Sequence, residues 1–576
     1  MRRWTRRRTV VTVCASLLAI WLIAVAWLLV SARSQMTAGA GDLRHVRARA
    51  SITAVLAPSS RAELRSASQH FDAAASTLDS PVLAPLQVLP VAGRHLDAAQ
   101  HLAGASQDGT AAAEAALRSL TVLTRRSSAK GPARVRTLRD LAAVSGRTRR
   151  ALEAVDPGSA DGLIGPLGDA VVELDQQRDD ASHAAGQLQS TSLALADVLQ
   201  GPTSYLLLGA NNAEMRNGSG MFLSASELRF DQGRLALGDV RPSAELVLPV
   251  GKVKATGDLA ANWPWLDPAR DLRNLGLTAD FPQSADVAAQ NWAAVPGGGP
   301  VDGVIAIDVD GLRSLLRVVG PVEIDGVRYT ADTVRGELLR KQYQRFDGDR
   351  QARRDRLGDV ARAVFDRLEA GGWKTDRLAT ELADAVEGRH LMIWSKDAKA
   401  AAAWRSAGAD GHLTDHSLSI GLLNRGAAKL DSWVDTSADV TFTALSGGRH
   451  RITVRYDVVN RAPGTGPAYV IGPNVKGLRA GDHAALVVVN LPAGSSQVDM
   501  RGADVFLSGG DGPTVVIGGR LLVPRGKTAE VTVTAVLPAG VERITREPSA
   551  RISPTTWTVE GDDGVRDRRH TVTVTD

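Results

Sequence analysis

The sequence predicts a multidomain chain with a single N-terminal transmembrane helix, a helical stalk or bundle, an α/β head domain and a C-terminal all-β sandwich. Three observations predict this class: an uncharged apolar run near the N-terminus, an alanine-rich region with helical periodicity, and a final region in which apolar and polar residues alternate. The predicted parts are a cytoplasmic tail (1–8), a transmembrane signal anchor (9–31), a stalk (42–199), an α/β domain (202–413) and a β-sandwich domain (415–576).

The apolar run over residues 9–31 matches the roughly 20 residues that a helix needs to cross a bilayer. Arginines on its N-terminal side predict a cytoplasmic N-terminus and an extracellular bulk, in a single-pass cell-membrane protein. These arginines are Arg2, Arg3, Arg6, Arg7 and Arg8. Cleavage after Ala40 is the alternative, but a cleaved signal peptide usually has a shorter apolar region, of about 7 to 15 residues. An uncleaved anchor is therefore expected.

Net charge disfavours a nucleic-acid-binding protein, and cysteine content disfavours a protein stabilised by disulfides. The formal net charge is +5, and the five N-terminal arginines account for it, so the remainder of the chain sums to zero. A nucleic-acid partner is not expected, because its basic footprint would lie on the folded part. The single cysteine, Cys14, lies in the apolar run, so the exported part must be stabilised by core burial rather than by disulfides.

The stalk prediction depends on apolar residues at steps of three and four. Leu64, Ala67, Phe71, Ala74 and Leu78 follow this pattern, which is typical of an amphipathic helix. Prolines and Gly-Pro pairs predict where helices stop. These breaks are at Pro81, Pro85, Pro90, Gly131-Pro132, Pro157-Gly158 and Gly165-Pro166.

The two following regions differ in their periodicity. Short apolar runs at 205–208 and 304–307 alternate with helical patterns such as 312–319, which predicts an α/β domain with ligand sites at strand ends. From about residue 415, the pattern has a period of two, as at 451–458, and glycine-rich turns such as 509–513 separate the strands. A β-sandwich follows from that pattern.

Two segments carry the candidate chemistry. In the first, a strand is predicted to end at Gly209 and to open into a polar turn that contains Glu214 and Arg216. This turn is either a binding site or an ordinary turn whose asparagines satisfy their own backbone. In the second, residues 335–356 contain eight basic and four acidic residues. Guanidinium groups suit phosphate oxygens, although a salt-bridged, solvated helix face gives the same pattern.

Residues 205–222, with Asn-Asn-Ala-Glu-Met-Arg at 211–216 followed by glycines, resemble the signature of an uncharacterised family. It is a domain of unknown function, number 4012, found in membrane-anchored proteins of high-GC Gram-positive bacteria. The resemblance extends over most of the chain, including residues 85–96 and 415–434. It implies a membrane-anchored protein but no activity.

A more distant resemblance is to the LytR-CpsA-Psr domain, whose members transfer glycopolymers from polyprenyl pyrophosphate lipids to peptidoglycan. Residues 301–330, followed by Asp347, Arg350 and Arg353, are similar to the end of that domain. Residues 206–216 and 271–292 resemble its first strand and its middle helix.

The sequence also departs from this family. Asn217 and Gly218 stand where the family has a serine and a magnesium-associated aspartate, and an expected Pro-Arg-Asp appears as Arg-Pro-Ser at 241–243. The resemblance implies that Arg216, Arg350 and Arg353 bind pyrophosphate. Glu214 would hold Mg²⁺ or act with Arg216 in catalysis. No other cofactor is expected.

The leading hypothesis is an extracytoplasmic cell-envelope protein that binds or transfers a polyprenyl-pyrophosphate-linked glycopolymer. If it turns over, it resembles a glycopolymer phosphotransferase. The alternative is a non-enzymatic scaffold that holds partners in cell-wall or polysaccharide assembly, which the missing acids of the catalytic family favour. A sensor that signals inward is disfavoured, because the cytoplasmic tail is too short for a domain.

Overall fold

The computed structural model describes residues 2–47, 57–125, 130–346, 350–560, 562–565 and 567–574. Within these ranges, the side chains of residues 2–15, 47, 58, 125, 350–355, 357 and 562–565 are not described. The chain divides into two compact units, which are treated separately below. The first comprises Met1–Arg126 and Thr137–Leu193, and the second comprises Ser127–Arg136 and Ala194–Asp576.

The N-terminal region is helical, as predicted. Its helices are α1 (Arg2–Arg47), α2 (Pro58–Leu78), α3 (Pro90–Arg125), α4 (Pro132–Glu153) and α5 (Pro166–Gln200), with a 3₁₀ turn at Pro81–Val88. Four of these helices begin at a proline, since proline lacks the N–H that the first turn leaves unbonded and has a helical φ. The predicted breaks at Pro90, Pro132 and Pro166 are therefore confirmed as helix starts.

The apolar stripe of α2 is buried. Its five members, Leu64, Ala67, Phe71, Ala74 and Leu78, are each at most 4% exposed. Ala74 and Leu78 pack in one cluster with Val25 and Ala32 of α1 and with Leu96 and Ala103 of α3. Burial of each large apolar side chain contributes about 1.5–3 kcal/mol, so this stripe fixes the helix pairing.

Helix α1 is long and apolar enough, over Ser16–Val46, to cross a membrane. Among the described residues of this helix, several large apolar side chains are exposed, including Leu17, Ile20, Ile23, Trp27 and Val30. A helix with this exposed apolar surface is compatible with a single-pass membrane protein or a signal peptide.

The second unit begins with a mixed sheet in the order β3-β2-β1-β5-β8, with β4 paired to β2. Strand β1 pairs antiparallel with β2 and parallel with β5, while β5 pairs antiparallel with β8. A separate hairpin is formed by β6 and β7. The strands are β1 (Thr203–Arg216), β2 (Ser219–Asp231), β3 (Arg234–Leu237), β4 (Arg241–Pro242), β5 (Gly303–Ile307), β6 (Val322–Ile324), β7 (Val327–Tyr329) and β8 (Leu391–Ser395).

Helices connect and cover these strands. They are α6 (Gly257–Asn262), α7 (Phe281–Ala294), α8 (Val309–Val319), α9 (Val334–Gly336), α10 (Gln342–Arg345), α11 (Arg350–Ala370), α12 (Thr375–Glu387) and α13 (Ala398–Ser406). A π-helical turn at Glu337–Lys341 joins α9 to α10, and 3₁₀ turns lie at Ser243–Glu245, Pro264–Leu266 and Leu272–Asn274. Asp308 caps α8 by accepting hydrogen bonds from the amides of Asp310 and Gly311, both at 2.9 Å.

The predicted end of the first strand is wrong. Strand β1 does not stop at Gly209 but continues to Arg216, with irregular pairing on both sides of Asn211. Inside the irregularity, Asn211 Oδ1 accepts a hydrogen bond from the amide of Ala213 at 2.8 Å. This local bond satisfies a donor that the ladder leaves free, so the strand bulges instead of ending. The turn to β2 is Asn217-Gly218, where Gly218 has a φ of 73°.

Two six-stranded sheets form the C-terminal region, in the orders β13-β16-β11-β10-β18-β19 and β14-β15-β12-β9-β17-β20. One buried cluster takes side chains from both sheets, including Ile420 and Val487 from one and Val454 and Val533 from the other. The strands are β9 (Ser417–Asn424), β10 (Val434–Leu445), β11 (Arg449–Asn460), β12 (His483–Leu491), β13 (Ser496–Arg501), β14 (Asp504–Asp511), β15 (Thr514–Val523), β16 (Thr528–Leu537), β17 (Arg543–Arg546), β18 (Thr556–Val559), β19 (Asp562–Val565) and β20 (His570–Thr573).

Strand β9 lies between two cores, and all eight of its residues are buried. Leu418, Ile420 and Leu422 belong to the buried cluster that contains side chains from both C-terminal sheets. Leu423 instead packs in the core that contains Leu206 of β1. The end of β9 is thereby held beside β1. A 3₁₀ turn at Asp431–Trp433 lies between β9 and β10, and α14 (Ala468–Ile471) lies between β11 and β12.

Candidate functional site

A cavity of about 560 Å³ lies where the bulged end of β1 meets the end of β9. Six charged side chains line it, four of them cationic: Glu214, Arg216, Asp271, Arg273, Arg425 and Lys429. Two of these six, Glu214 and Arg216, are residues that the sequence predicted for the site. The cavity thus carries an excess of positive charge among its lining groups.

Arg216 is buried and held by main-chain oxygens. Its Nη1 donates to the carbonyls of Met215 and Asn424 at 3.0 and 3.1 Å, and its Nε donates to the carbonyl of Arg273 at 3.2 Å. Burial, reinforced by the positive charge of Arg425, lowers the pKa of Arg216 to about 10 despite the nearby Glu214 carboxylate. The side chain stays cationic at neutral pH, with most of its donors committed to the fold.

Glu214 pairs with Lys429, and both are buried. The Lys429 ammonium also lies over the rings of Tyr343 and Tyr469, at 5.5 and 5.2 Å from the ring centroids. Burial favours the neutral amine, but the adjacent Glu214 carboxylate and the two tyrosines outweigh it and raise the pKa of Lys429. Asn211 Nδ2 donates to the Tyr343 hydroxyl at 3.0 Å, which ties the bulge of β1 to α10.

The other two cationic side chains in the cavity lining, Arg273 and Arg425, have different partners. Arg273 forms a two-point pair with Asp271, with Nε to Oδ1 at 2.9 Å and Nη2 to Oδ2 at 2.5 Å. Arg425 is half-buried, and its guanidinium lies 5.2 Å from the ring of Trp265. Within the described part of the chain, Arg425 has no carboxylate partner, and burial lowers its pKa. Arg425 is therefore the least compensated charge in the cavity.

Asp431 connects the two strands that end at this cavity. It accepts hydrogen bonds from the Met215 amide at 3.1 Å and from Asn424 Nδ2 at 2.7 Å. His483 and Arg551 also contact its carboxylate, each at 3.3 Å. Burial alone would favour protonation, yet these donors and charges lower the pKa of Asp431. A permanent carboxylate thus holds β1 and β9 together.

The lining is not only charged. Apolar side chains from β2 and the following loops complete it, so the cavity can take a ligand with both a charged and an apolar part. These side chains are Met221, Leu223, Val240, Pro242, Ala244 and Val475.

For the remaining predicted residues, the position of the side chain is not described. Arg350 and Arg353 lie in α11, but their side chains are outside the described residues, as is the whole of Asp347. Other members of the basic cluster have local partners. Arg335 pairs with Asp310, Lys341 and Arg345 pair with Glu337, and Arg356 pairs with Asp325. These four side chains form ion pairs within the protein, as expected from the interpretation of residues 335–356 as a salt-bridged helix face.

Sequence reasoning missed Arg273, Arg425 and Lys429. Arg273 lies in the short 3₁₀ turn Leu272–Asn274, which has no apolar periodicity, whereas Arg425 and Lys429 follow a strand that was assigned to another domain. Lys429 and Glu214 are 215 residues apart in the sequence. No local pattern signals such a pair.

Comparison with known families adds one finding. Residues 200–343 match the family model described as protein of unknown function (DUF4012). The matched segment contains β1, β2 and α7, and with them Glu214, Arg216, Asp271 and Arg273. Neither a curated protein nor a solved structure matches the chain. An uncharacterised domain family is therefore supported for this segment, and it brings no activity with it.

Proposed function

We propose that this protein is a membrane-anchored, extracytoplasmic cell-envelope protein that binds a polyprenyl-pyrophosphate-linked glycopolymer in the cavity between β1 and β9. The pyrophosphate lies against Arg425, Arg273 and Arg216, and the polyprenyl chain lies along the apolar lining. The N-terminal arginines keep the tail in the cytoplasm and the folded units outside. In the same proposal, the two C-terminal sheets form a sandwich that supports this cavity.

The observation that supports this proposal is the charge state of the cavity. Both lining carboxylates are already paired, Glu214 with Lys429 and Asp271 with Arg273, while Arg425 has no carboxylate partner among the described residues. A ligand with several negative charges would complete this arrangement, because charge-assisted hydrogen bonds to guanidinium groups are strong and directional. The apolar lining favours an amphipathic ligand over a free nucleotide or sugar.

Magnesium remains a separate prediction. Among the described residues, no group of three or more His, Cys, Asp or Glu side chains is arranged to hold a metal ion. Glu214, the predicted ligand, is bonded to the Lys429 ammonium instead. The proposal therefore draws its ligand affinity from the arginines and derives no step through a metal.

The test is calorimetric titration of the full-length chain in a neutral detergent with farnesyl pyrophosphate. Arg425→Gln should weaken binding about tenfold or more, because it removes charged hydrogen bonds. The matched control is Arg501→Gln, which removes an equal charge from a side chain that is 84% exposed on β13. Equal affinities for the wild type and Arg425→Gln would refute the cavity assignment.

Three further titrations separate the parts of the proposal. Farnesol and inorganic pyrophosphate should each bind more weakly than farnesyl pyrophosphate if both halves of the ligand are used. Addition of EDTA tests the magnesium prediction. Arg350→Gln tests the residue that the sequence predicted, independently of Arg425.

A non-enzymatic scaffold is the second candidate, and one observation favours it. Glu214 and Arg216, the predicted catalytic residues, are both engaged in holding β1, β9 and their loops together. If the wild-type protein binds neither farnesyl pyrophosphate nor farnesol nor inorganic pyrophosphate, the cavity is a structural feature, and the scaffold hypothesis replaces the ligand-binding hypothesis. Self-association of the full-length chain in analytical ultracentrifugation would then be the next measurement.

A further inference from the structure

A second cavity, of about 520 Å³, lies in the second unit between α8, the end of α12 and the segment around residues 554–568. Four arginines line it: Arg313, Arg317, Arg335 and Arg568. Of the described lining residues, Arg335 alone belongs to the basic cluster that the sequence singled out, and none is shared with the cavity between β1 and β9.

The carboxylates of this second cavity already have partners. Asp310 holds Arg335 through two hydrogen bonds from its guanidinium. Asp384 lies 3.5 Å from Arg568. Asp567 accepts hydrogen bonds from the amides of Ser549 and Thr555, at 3.1 and 3.2 Å. Asp310 and Asp384 are therefore each paired with an arginine, whereas Asp567 is held by neutral donors and keeps its negative charge.

Arg313 is the cation that remains. Its Nε donates to the carbonyl of Ala331 at 2.9 Å, and within the described residues neither of its terminal amino groups has a hydrogen-bond partner. Burial, together with the positive charges of Arg335 and Arg317, lowers the pKa of Arg313. The carboxylates of Asp310 and Asp332 offset part of this effect, so the half-buried guanidinium is mainly desolvated, and an anion bound to its terminal amino groups would stabilise its charge.

His390 adds a further donor. Its Nδ1 lies 2.7 Å from Asp308 Oδ2, and its Nε2 lies 3.7 Å from Asp310 Oδ2. Burial opposes protonation, but the Asp308 carboxylate and then Asp310 raise the pKa of His390 to about 9. The imidazole is cationic at neutral pH, and the hydroxyl of Ser314 lines the same cavity.

We propose that this second cavity binds a phosphate group, with the terminal amino groups of Arg313 as its principal donors. Arg317, Arg335 and His390 line the same cavity, each paired with a carboxylate. Guanidinium forks match phosphate oxygens, and the terminal amino groups of Arg313, which have no hydrogen-bond partner among the described residues, supply the donors for this phosphate. The site is independent of the cavity proposed for the pyrophosphate lipid. Its ligand is either free phosphate or a phosphate ester.

The experiment is an NMR titration of the full-length chain in neutral detergent, observing the imidazole nitrogens of His390. Inorganic phosphate is added in one arm and glycerol 1-phosphate in the other. Both should shift the His390 signals if any phosphate group is accepted, and only the ester should do so if the ester group is required. Arg313→Gln should weaken the response roughly tenfold to a hundredfold.

Three controls make the outcome decisive. Arg313→Lys keeps the charge and should retain part of the affinity, which separates ligand binding from folding. Arg501→Gln should bind as the wild type does. Arg425→Gln, which alters only the other cavity, should leave the His390 response unchanged. A His390 signal that does not move in either arm, or an unaltered affinity in Arg313→Gln, would overturn the proposal.

Discussion

The Glu214–Lys429 pair illustrates how a buried charge constrains this fold. Both side chains are less than 10% exposed, and they join the bulge of β1 to the segment after β9. Removing one partner leaves the other charged and desolvated. We expect Lys429→Met to lower the free energy of unfolding by about 3–5 kcal/mol, measured by urea unfolding of the detergent-solubilised chain. Lys429→Met combined with Glu214→Gln should recover much of that loss, and a double variant no more stable than the single one would contradict this explanation.

The titration of His390 makes the free energy of unfolding depend on pH. Its pKa is raised from 6.5 to about 9 by Asp308 and Asp310, with a smaller contribution from Asp567. A raised pKa stabilises the folded state fully below about 6.5, and this contribution disappears as the pH rises through about 9. We expect the wild type to exceed His390→Gln in stability by about 3 kcal/mol more at pH 6 than at pH 10. Unfolding curves at both values measure this, and a constant difference would show that Asp308 does not control the titration.

At the scale of elements, the contact between the β1–β2 turn and β9 depends on a glycine. A Cβ at Gly421 would lie much closer to Asn217 Oδ1 than the van der Waals contact distance, and it would lie 3.1 Å from Asn217 Cα. Because the turn backbone cannot move without disturbing β1, Gly421→Ala should destabilise the protein by about 1–3 kcal/mol in urea unfolding.

A matched glycine and a double variant separate this clash from the general effect of glycine replacement. At Gly336, in α9, an added Cβ would meet nothing within 4 Å, so Gly336→Ala should be neutral or stabilise by up to about 1 kcal/mol. Asn217→Gly should rescue Gly421→Ala by removing the side chain that the new methyl group meets. Additive effects of these two substitutions would exclude a direct contact.

The elements that were predictable from the sequence are those with a local cause. The stripe from Leu64 to Leu78 and the alternation of Ile452, Val454, Tyr456 and Val458 identify helix and strand because one face must be buried. The extension of β1 past Gly209 was missed, because it depends on a bond from Asn211 to its own backbone and on the neighbouring strand β2.

For the candidate site, the sequence identified only the residues on one strand. Glu214 and Arg216 stood out by residue type in a short segment. Arg425 and Lys429 reach the same cavity only because Leu423 of β9 packs in the core that also buries Leu206 of β1. That juxtaposition is a property of tertiary packing, so no pattern in a short window could predict it.

At the scale of the whole molecule, the proposed membrane topology predicts that the orientation of the chain depends on its first residues. The arginines at 2, 3, 6, 7 and 8 provide the whole of the formal net charge, and the apolar part of α1 follows them. Retention of these arginines on the cytoplasmic side would direct the rest of the chain outward. A C-terminal epitope tag should therefore be digested by protease added to intact spheroplasts, while an N-terminal tag should be protected.

Charge reversal tests whether the arginines set this orientation. Replacing all five with glutamate should reduce the fraction of chains whose C-terminal tag is accessible, because acidic residues do not replace basic ones in holding a flank inside. Replacing five arginines of the folded part that are distant from α1 is the matched control and should leave accessibility unchanged. Mass spectrometry of the carbonate-washed membrane fraction tests whether the N-terminal segment is cleaved. Cleavage after Ala40 would release a chain that begins at Gly41, whereas an uncleaved anchor would keep the full-length chain in the membrane.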